Sequence, residues 1–192
     1  PGSHRCIQIA DLTGTKGKTT KARMISYIMK TSGNTVGMTS TDGVYIDGHL
    51  TVKGDMTGPV SSQMVLRDPS VDVAVMEVAR GGMLKKGVGF PKCDVAACLN
   101  VSADHLGLGG IDTVEQLARV KRIIIEIATD TAVLNADDSL CLEMANHTKA
   151  ENICYVTLAD NHPLVRKHIR AEGRAVVLEK GLNGDMITLY DK

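Results

Sequence analysis

Thr13-Gly14-Thr15-Lys16-Gly17-Lys18-Thr19-Thr20 combines glycines, an inner lysine and hydroxyls in one short stretch, and that combination can hold a phosphate chain. Glycines let the backbone turn so that several N–H groups face one anion, and a following helix adds its positive end. Lys18 then reaches terminal phosphates, and Thr19 offers a hydroxyl to Mg²⁺. The strict GxxxxGK[ST] pattern wants glycine at position 12, where this chain has Leu12, so Gly14 supplies the turn of a shortened variant. The plain alternative is a glycine turn that caps a helix by accident. It fits less well because Gly17-Lys18-Thr19 directly follows an apolar run.

A nucleotide site of this type also needs an acid at the end of a neighbouring strand to hold magnesium. Val71-Asp72-Val73-Ala74-Val75-Met76-Glu77 supplies Glu77, which leads into Ala79-Arg80-Gly81-Gly82, read here as a turn-rich segment at the carboxyl edge of a parallel sheet. The next apolar run delivers Asn100, Ser102, Asp104 and His105 to the same edge, with His105 a candidate metal ligand. Lys121 lies on the helix that follows. Each has an ordinary alternative: a solvated loop glutamate, a surface histidine, a solvated helix lysine.

These residues need elements to position them. Apolar β-rich runs over 6–12, 35–39, 71–78, 94–101, 131–135, 153–158 and 175–179 alternate with helical periodicity over 18–31, 60–66, 114–128, 140–145 and 163–170. That is the layout of βαβ units around a mostly parallel sheet flanked by helices, an α/β fold of the P-loop type. Most of the strand runs are continuous, as strands covered on both faces should be. Asp112 or Thr113 with Glu115 and Gln116 forms an N-cap, and Gly33 ends the first helix. The segment 44–52 alternates around Asp47-Gly48 and predicts a small inserted β-hairpin, with a second such pattern around Asn183-Gly184.

Composition bounds the function. The 192 residues, 43% hydrophobic, carry 22 basic and 22 acidic side chains, 3% aromatics and no Trp, which argues against nucleic acid as a partner. No apolar stretch approaches the ~20 residues that span a bilayer and no signal peptide opens the chain, so no membrane partner and a cytoplasmic location are expected. The five cysteines form no close metal-binding pair and read as buried free thiols. Pro1-Gly2-Ser3-His4 reads as a tag remnant, leaving one domain over 5–192. A homo-oligomer is compatible with this composition.

Taken together, the motifs resemble the central domain of the Mur ligase family, which joins a carboxylate to an amine at the expense of ATP. Gly14 to Thr20 is similar to its GTxGKTT loop, Glu77 to its magnesium-holding glutamate, Asn100, Asp104 and His105 to its Asn-x-x-x-Asp-His element, and Asn135 to Asp138 to its Asn-Ala-Asp-Asp. Within the family the residues look most like the cyanophycin synthetase branch, through Thr41-Asp42-Gly43, Gly54-Asp55-Met56-Thr57-Gly58-Pro59, Ala79-Arg80-Gly81-Gly82 and Asp104-His105-Leu106-Gly107-Leu108. Two residues depart from that pattern: Lys16 stands for a usual Asn, and Val78 for a usual Thr.

The resemblance implies ATP and Mg²⁺ as cofactors and an acyl phosphate intermediate. Gly14, Thr15, Lys16, Gly17, Lys18, Thr19, Thr20 and Asn100 would bind the nucleotide, Thr19, Glu77 and His105 the metal, and Lys18, Glu77, His105 and Lys121 would serve catalysis. Lys121 matches in register a lysine that is carbamylated in several members. It further implies a poly-aspartate and arginine substrate pair, together with an ATP-grasp half and a C-terminal Mur domain that these residues do not include. Other readings stay open: a UDP-muramoyl peptide or folylpolyglutamate type of ligase, a P-loop kinase or NTPase that forms no amide, and an inactive nucleotide-binding or assembly domain.

Overall fold

A computed structural model describes residues 7–104 and 106–191. The expected tag remnant at 1–4, Cys6 and His105 lie outside the described residues. Ten described strands form one sheet: β1 Gln8–Thr13, β2 Val36–Thr39, β3 Gly43–Ile46, β4 His49–Lys53, β5 Val73–Glu77, β6 Cys93–Cys98, β7 Ala128–Asn135, β8 Asn152–Thr157, β9 Arg174–Gly181 and β10 Gly184–Tyr190. Their spatial order is β10-β9-β8-β7-β6-β1-β5-β2-β3-β4. The pairs from β9 through β2 are parallel, and β3, β4 and β10 add antiparallel edges. The expected mostly parallel α/β fold is present. Because β1 sits between β5 and β6, the carboxyl ends of all three open onto one edge.

The helices are α1 Lys18–Thr31, α2 Pro59–Leu66, α3 Arg80–Lys86, α4 Val114–Glu126, α5 Ser139–Glu143 and α6 Pro163–Arg170. Thr113 caps α4 in a capping box with Gln116, Gly33 follows the end of α1 at φ 94°, and Asp47 and Gly48, at φ 47° and 81°, turn the β3–β4 hairpin. One reading needs correcting: the segment from Ala79 to Gly82 is the start of α3, not a turn. Its glycines fall in the first turn, where the Ala79 carbonyl accepts the Gly82 N–H at 3.1 Å and the Met83 N–H at 3.3 Å, and Met83 buries behind them while Lys85 and Lys86 close the last turn.

Register divides the core between two faces. Leu12, Met38, Val73, Val75 and Ala97 pack with Ala22 of α1 on one face. On the other, Ala96, Cys98, Leu134, Ala175 and Val177 meet Leu117, Ile124 and Ile125 of α4, Cys141 of α5 and Val165 of α6. This explains why the expectation of doubly covered strands fails at one end. β5 is buried throughout, but β8 and β9 alternate, and Val156, Val176, Leu178, Ile187 and Leu189 share the α1 side of the sheet beyond the reach of α1. Among the described residues, no helix is long and apolar enough to cross a membrane.

Candidate functional site

β1 ends at Thr13, fully buried, whose hydroxyl donates to the Val78 carbonyl at 3.2 Å and so ties the start of the loop to the end of β5. Gly17 then takes φ 85°, a left-handed conformation glycine adopts without strain, and stands as the N-cap of α1. No side chain caps this helix and no acid sits in its first turn. Its N–H groups and positive end therefore face the loop, the arrangement that suits an anion. The Lys18 ammonium folds back over the loop and donates to the Gly14 carbonyl at 3.0 Å. Lys16 and Thr20 are exposed at its rim.

Glu77 is only 1% exposed, which excludes the solvated-loop alternative. The register Leu12↔Glu77 and Ala10↔Val75 turns it to the α1 side, where the Thr19 hydroxyl donates to its Oε2 at 2.7 Å. The Thr41 hydroxyl lies 3.4 Å from that of Thr19. An octahedral Mg²⁺ with bonds of 2.0–2.1 Å spaces adjacent oxygen ligands about 3 Å apart, so the Thr19 and Glu77 oxygens already stand close to that separation. Hydroxyl and carboxylate oxygens are also the donors this hard cation takes, and the pair fits the ion. Among the described residues, no group of three His, Cys, Asp or Glu side chains gathers to hold a metal, here or elsewhere.

Asn100, just past β6, reaches across to the loop. Its Oδ1 accepts the Thr15 N–H at 2.9 Å and the Lys16 N–H at 2.8 Å, and its Nδ2 donates to the Lys16 carbonyl at 3.1 Å. Thr15 adds a second tie, its hydroxyl accepting the Ser102 N–H at 3.0 Å. Further along, the four-residue block from Asn135 to Asp138 proves to be scaffolding. Asn135 donates to the Leu99 carbonyl, Asp137 accepts from Thr157, and Asp138 caps α5 while accepting the Val101 N–H at 2.7 Å.

Lys121 is 4% exposed and so is no solvated helix lysine. Burial, then the neighbouring Lys18 charge, pull its ammonium down from the ordinary lysine value of 10.5 to about 8. It lines a cleft of about 450 Å³ with Gly14, Thr15, Lys18, Thr41 and Asp104. Loop, helix lysine and Asp104 thus share one opening, with Glu77 beside it through Thr19. Arg80 and Thr41 also line this cleft and received no role from the sequence. The available signal was position, since each follows the carboxyl end of a parallel strand, where ligands bind in open α/β sheets.

Comparison with known proteins agrees with this geometry. Residues 12–189 match the Mur ligase middle domain. The chain is 50% identical over 182 residues to a cyanophycin synthetase of Synechocystis sp. (strain ATCC 27184 / PCC 6803 / Kazusa), covering 94% of this chain and 21% of that protein. It therefore spans about a fifth of the length of such relatives. A UDP-N-acetylmuramoyl-L-alanyl-D-glutamate–2,6-diaminopimelate ligase structure superposes with a TM-score of 0.71 at 25% identity, covering 97% of this chain and 37% of that one. A bifunctional folylpolyglutamate synthase/dihydrofolate synthase with Mn, AMPPNP and L-glutamate bound shares the fold, with a TM-score of 0.60 at 21% identity over 80% of this chain and 45% of that one. By sequence and fold, the chain belongs to the Mur ligase middle domain family.

Proposed function

We propose that residues 12–189 form the ATP-binding unit of an ATP-dependent carboxylate–amine ligase of the cyanophycin synthetase type, working through an acyl phosphate. The observation that carries the reading is the 2.7 Å contact between the Thr19 hydroxyl and Glu77 at the mouth of the loop, next to Lys18, which supports a metal-holding pair beside a phosphate-binding lysine. In the reaction, a substrate carboxylate oxygen attacks the γ-phosphorus, its bond to the ADP oxygen breaks and ADP leaves. The amine nitrogen then attacks the acyl carbon, phosphate departs with the C–O bond pair, and the nitrogen sheds a proton as the amide forms. A bound Mg²⁺ supplies charge neutralisation at the phosphates.

The chain's own residues act around that centre. Lys18 and the first-turn N–H groups of α1 stabilise charge on the transferring phosphoryl group. Thr19 and Glu77 would hold one Mg²⁺, and His105 would help to hold a second. A Lys121 ammonium near 8 leaves an appreciable neutral fraction at physiological pH, the form that can add to CO₂ and become a carbamate. The 50% identity to cyanophycin synthetase supports arginine as the amine and the side-chain carboxylates of a poly-aspartate chain as acceptors, with an ATP-grasp half and a C-terminal Mur domain in the same protein.

ADP release by the full-length protein tests the reading. Release that requires both a poly-aspartate acceptor and arginine, and that stops in Lys18→Ala, is expected. Release at the same rate without an amine would assign the site to a kinase or NTPase instead.

A further inference from the structure

We propose that Asn100 is a positioning residue for the phosphate loop, its carboxamide fixing the backbone of Thr15 and Lys16 without touching the base or ribose of the nucleotide. The inference rests on the phosphate-loop reading above and adds a role for a residue first assigned to nucleotide contact. Backbone N–H groups can only donate, so the two that converge on Asn100 at 2.9 and 2.8 Å require its oxygen to face the loop, and both lone pairs of that oxygen are then committed. The amide nitrogen faces the same way, donating to the Lys16 carbonyl at 3.1 Å. To meet a base or ribose, the carboxamide would have to leave all three bonds.

Asn100 is itself held on both sides. The Leu99 carbonyl before it accepts from Asn135 at 2.9 Å, and the Val101 N–H after it donates to Asp138 at 2.7 Å. The strand end also lies against the loop closely: a Cβ on Gly14 would stand 3.0 Å from Leu99 Cβ and 3.4 Å from Asn100 N. The block from Asn135 to Asp138 thus anchors Asn100, and Asn100 anchors the loop. With the Thr15 and Lys16 N–H groups committed, the donors turned to phosphate are those of Gly17 and the first turn of α1, together with Lys18. The clamp therefore sets which amides meet the anion.

The test pairs hydrogen exchange with two ligands. The Lys16 amide is the reporter, because Thr15 N–H also has the Asn100 carbonyl at 3.0 Å. In Asn100→Ala, Lys16 should exchange about tenfold faster or more, and affinity should fall by the same factor, about tenfold, for inorganic tripolyphosphate and for Mg-AMPPNP. Asn100→Asp keeps the acceptor oxygen and should keep Lys16 protected. If the alanine variant does not fold, Asn100→Leu, of matching size, takes its place. Loss of AMPPNP affinity with tripolyphosphate binding intact would overturn the proposal in favour of a nucleoside contact, and so would unchanged Lys16 exchange. Failure of the unsubstituted chain to bind either ligand would instead remove the phosphate-loop reading, while Lys16 exchange would still decide the clamp.

Discussion

The Thr19 hydroxyl and the Glu77 carboxylate meet at 2.7 Å across the mouth of the loop, joining the first turn of α1 to the last residue of β5. Both are oxygen donors to a hard cation, so the contact marks where Mg²⁺ would be held beside the phosphates. Glu77→Ala is expected to remove the Mg²⁺-dependent part of ATP-analogue affinity, about tenfold or more, while metal-free affinity stays within about twofold. Calorimetric titration at several Mg²⁺ concentrations reads this directly. A Mg²⁺ dependence in Glu77→Ala equal to that of the unsubstituted chain contradicts the assignment.

Lys121 gives a pH signature. Its folded-state value, near 8, lies below the 10.5 of an exposed lysine, so between these values the unfolded chain binds more protons than the folded one and stability rises with pH. Below about pH 8 the full desolvation cost is present, on the order of 3 kcal/mol from the size of the shift. Lys121→Met is expected to stabilise the chain at pH 7 by about 1–3 kcal/mol and to lose the gain between pH 8 and 10. Denaturant unfolding at pH 7 and pH 9.5 checks this. A stability difference that does not change with pH would show that the lysine is no more burdened by burial than an exposed one.

Asp11 lies on β1 two residues before the loop, 1% exposed, with neither carboxylate oxygen in a good hydrogen bond and only weak relief from the Leu12 N–H. Burial pushes its carboxyl well above the usual carboxylate range. The folded chain therefore holds a proton that the unfolded one releases as pH rises past about 4, and stability falls with pH over that interval. Asp11→Leu is expected to gain about 1–3 kcal/mol at pH 7 and less at pH 4. Urea unfolding at both pH values decides it. Destabilisation at pH 7 would mean that the carboxylate has a partner.

Much of this was legible in the sequence because local signals agreed. A continuous apolar run, a Gly-Lys-Thr step and a following helical period placed β1, the loop and α1 together, and α1 runs over the residues expected. Glu77 was legible because an acid terminating an apolar run stands out. α3 was missed because paired glycines read as a turn, and only the burial of Met83 shows why a helix wins there. The clamp by Asn100 was not legible, since it joins residues 84 and 85 positions apart. Nor was the lowered Lys121 value, which follows from packing that periodicity alone does not give.

The uneven cover of the sheet was also hidden, because apolar β8 and β9 look like interior strands until register sorts their faces. Ile187 and Leu189 are 75% and 67% exposed on that side, in line with Val176 and Leu178. The doubly substituted chain Ile187→Lys, Leu189→Lys is expected to bind a hydrophobic dye at least about twofold less, with unfolding free energy changed by under about 1 kcal/mol. Fluorescence titration and urea unfolding measure the two. Undiminished dye binding would place the accessible apolar surface elsewhere.

The most direct test of the central claim is calorimetric titration of the chain with AMPPNP, with and without Mg²⁺, beside Lys18→Ala. Lys18 folds over the loop with its ammonium 3.0 Å from the Gly14 carbonyl, placed to exchange that contact for a phosphate. Magnesium-dependent binding that weakens by about a hundredfold in Lys18→Ala is the expected result. Equal affinity in the two proteins would contradict a phosphate loop at residues 13–20.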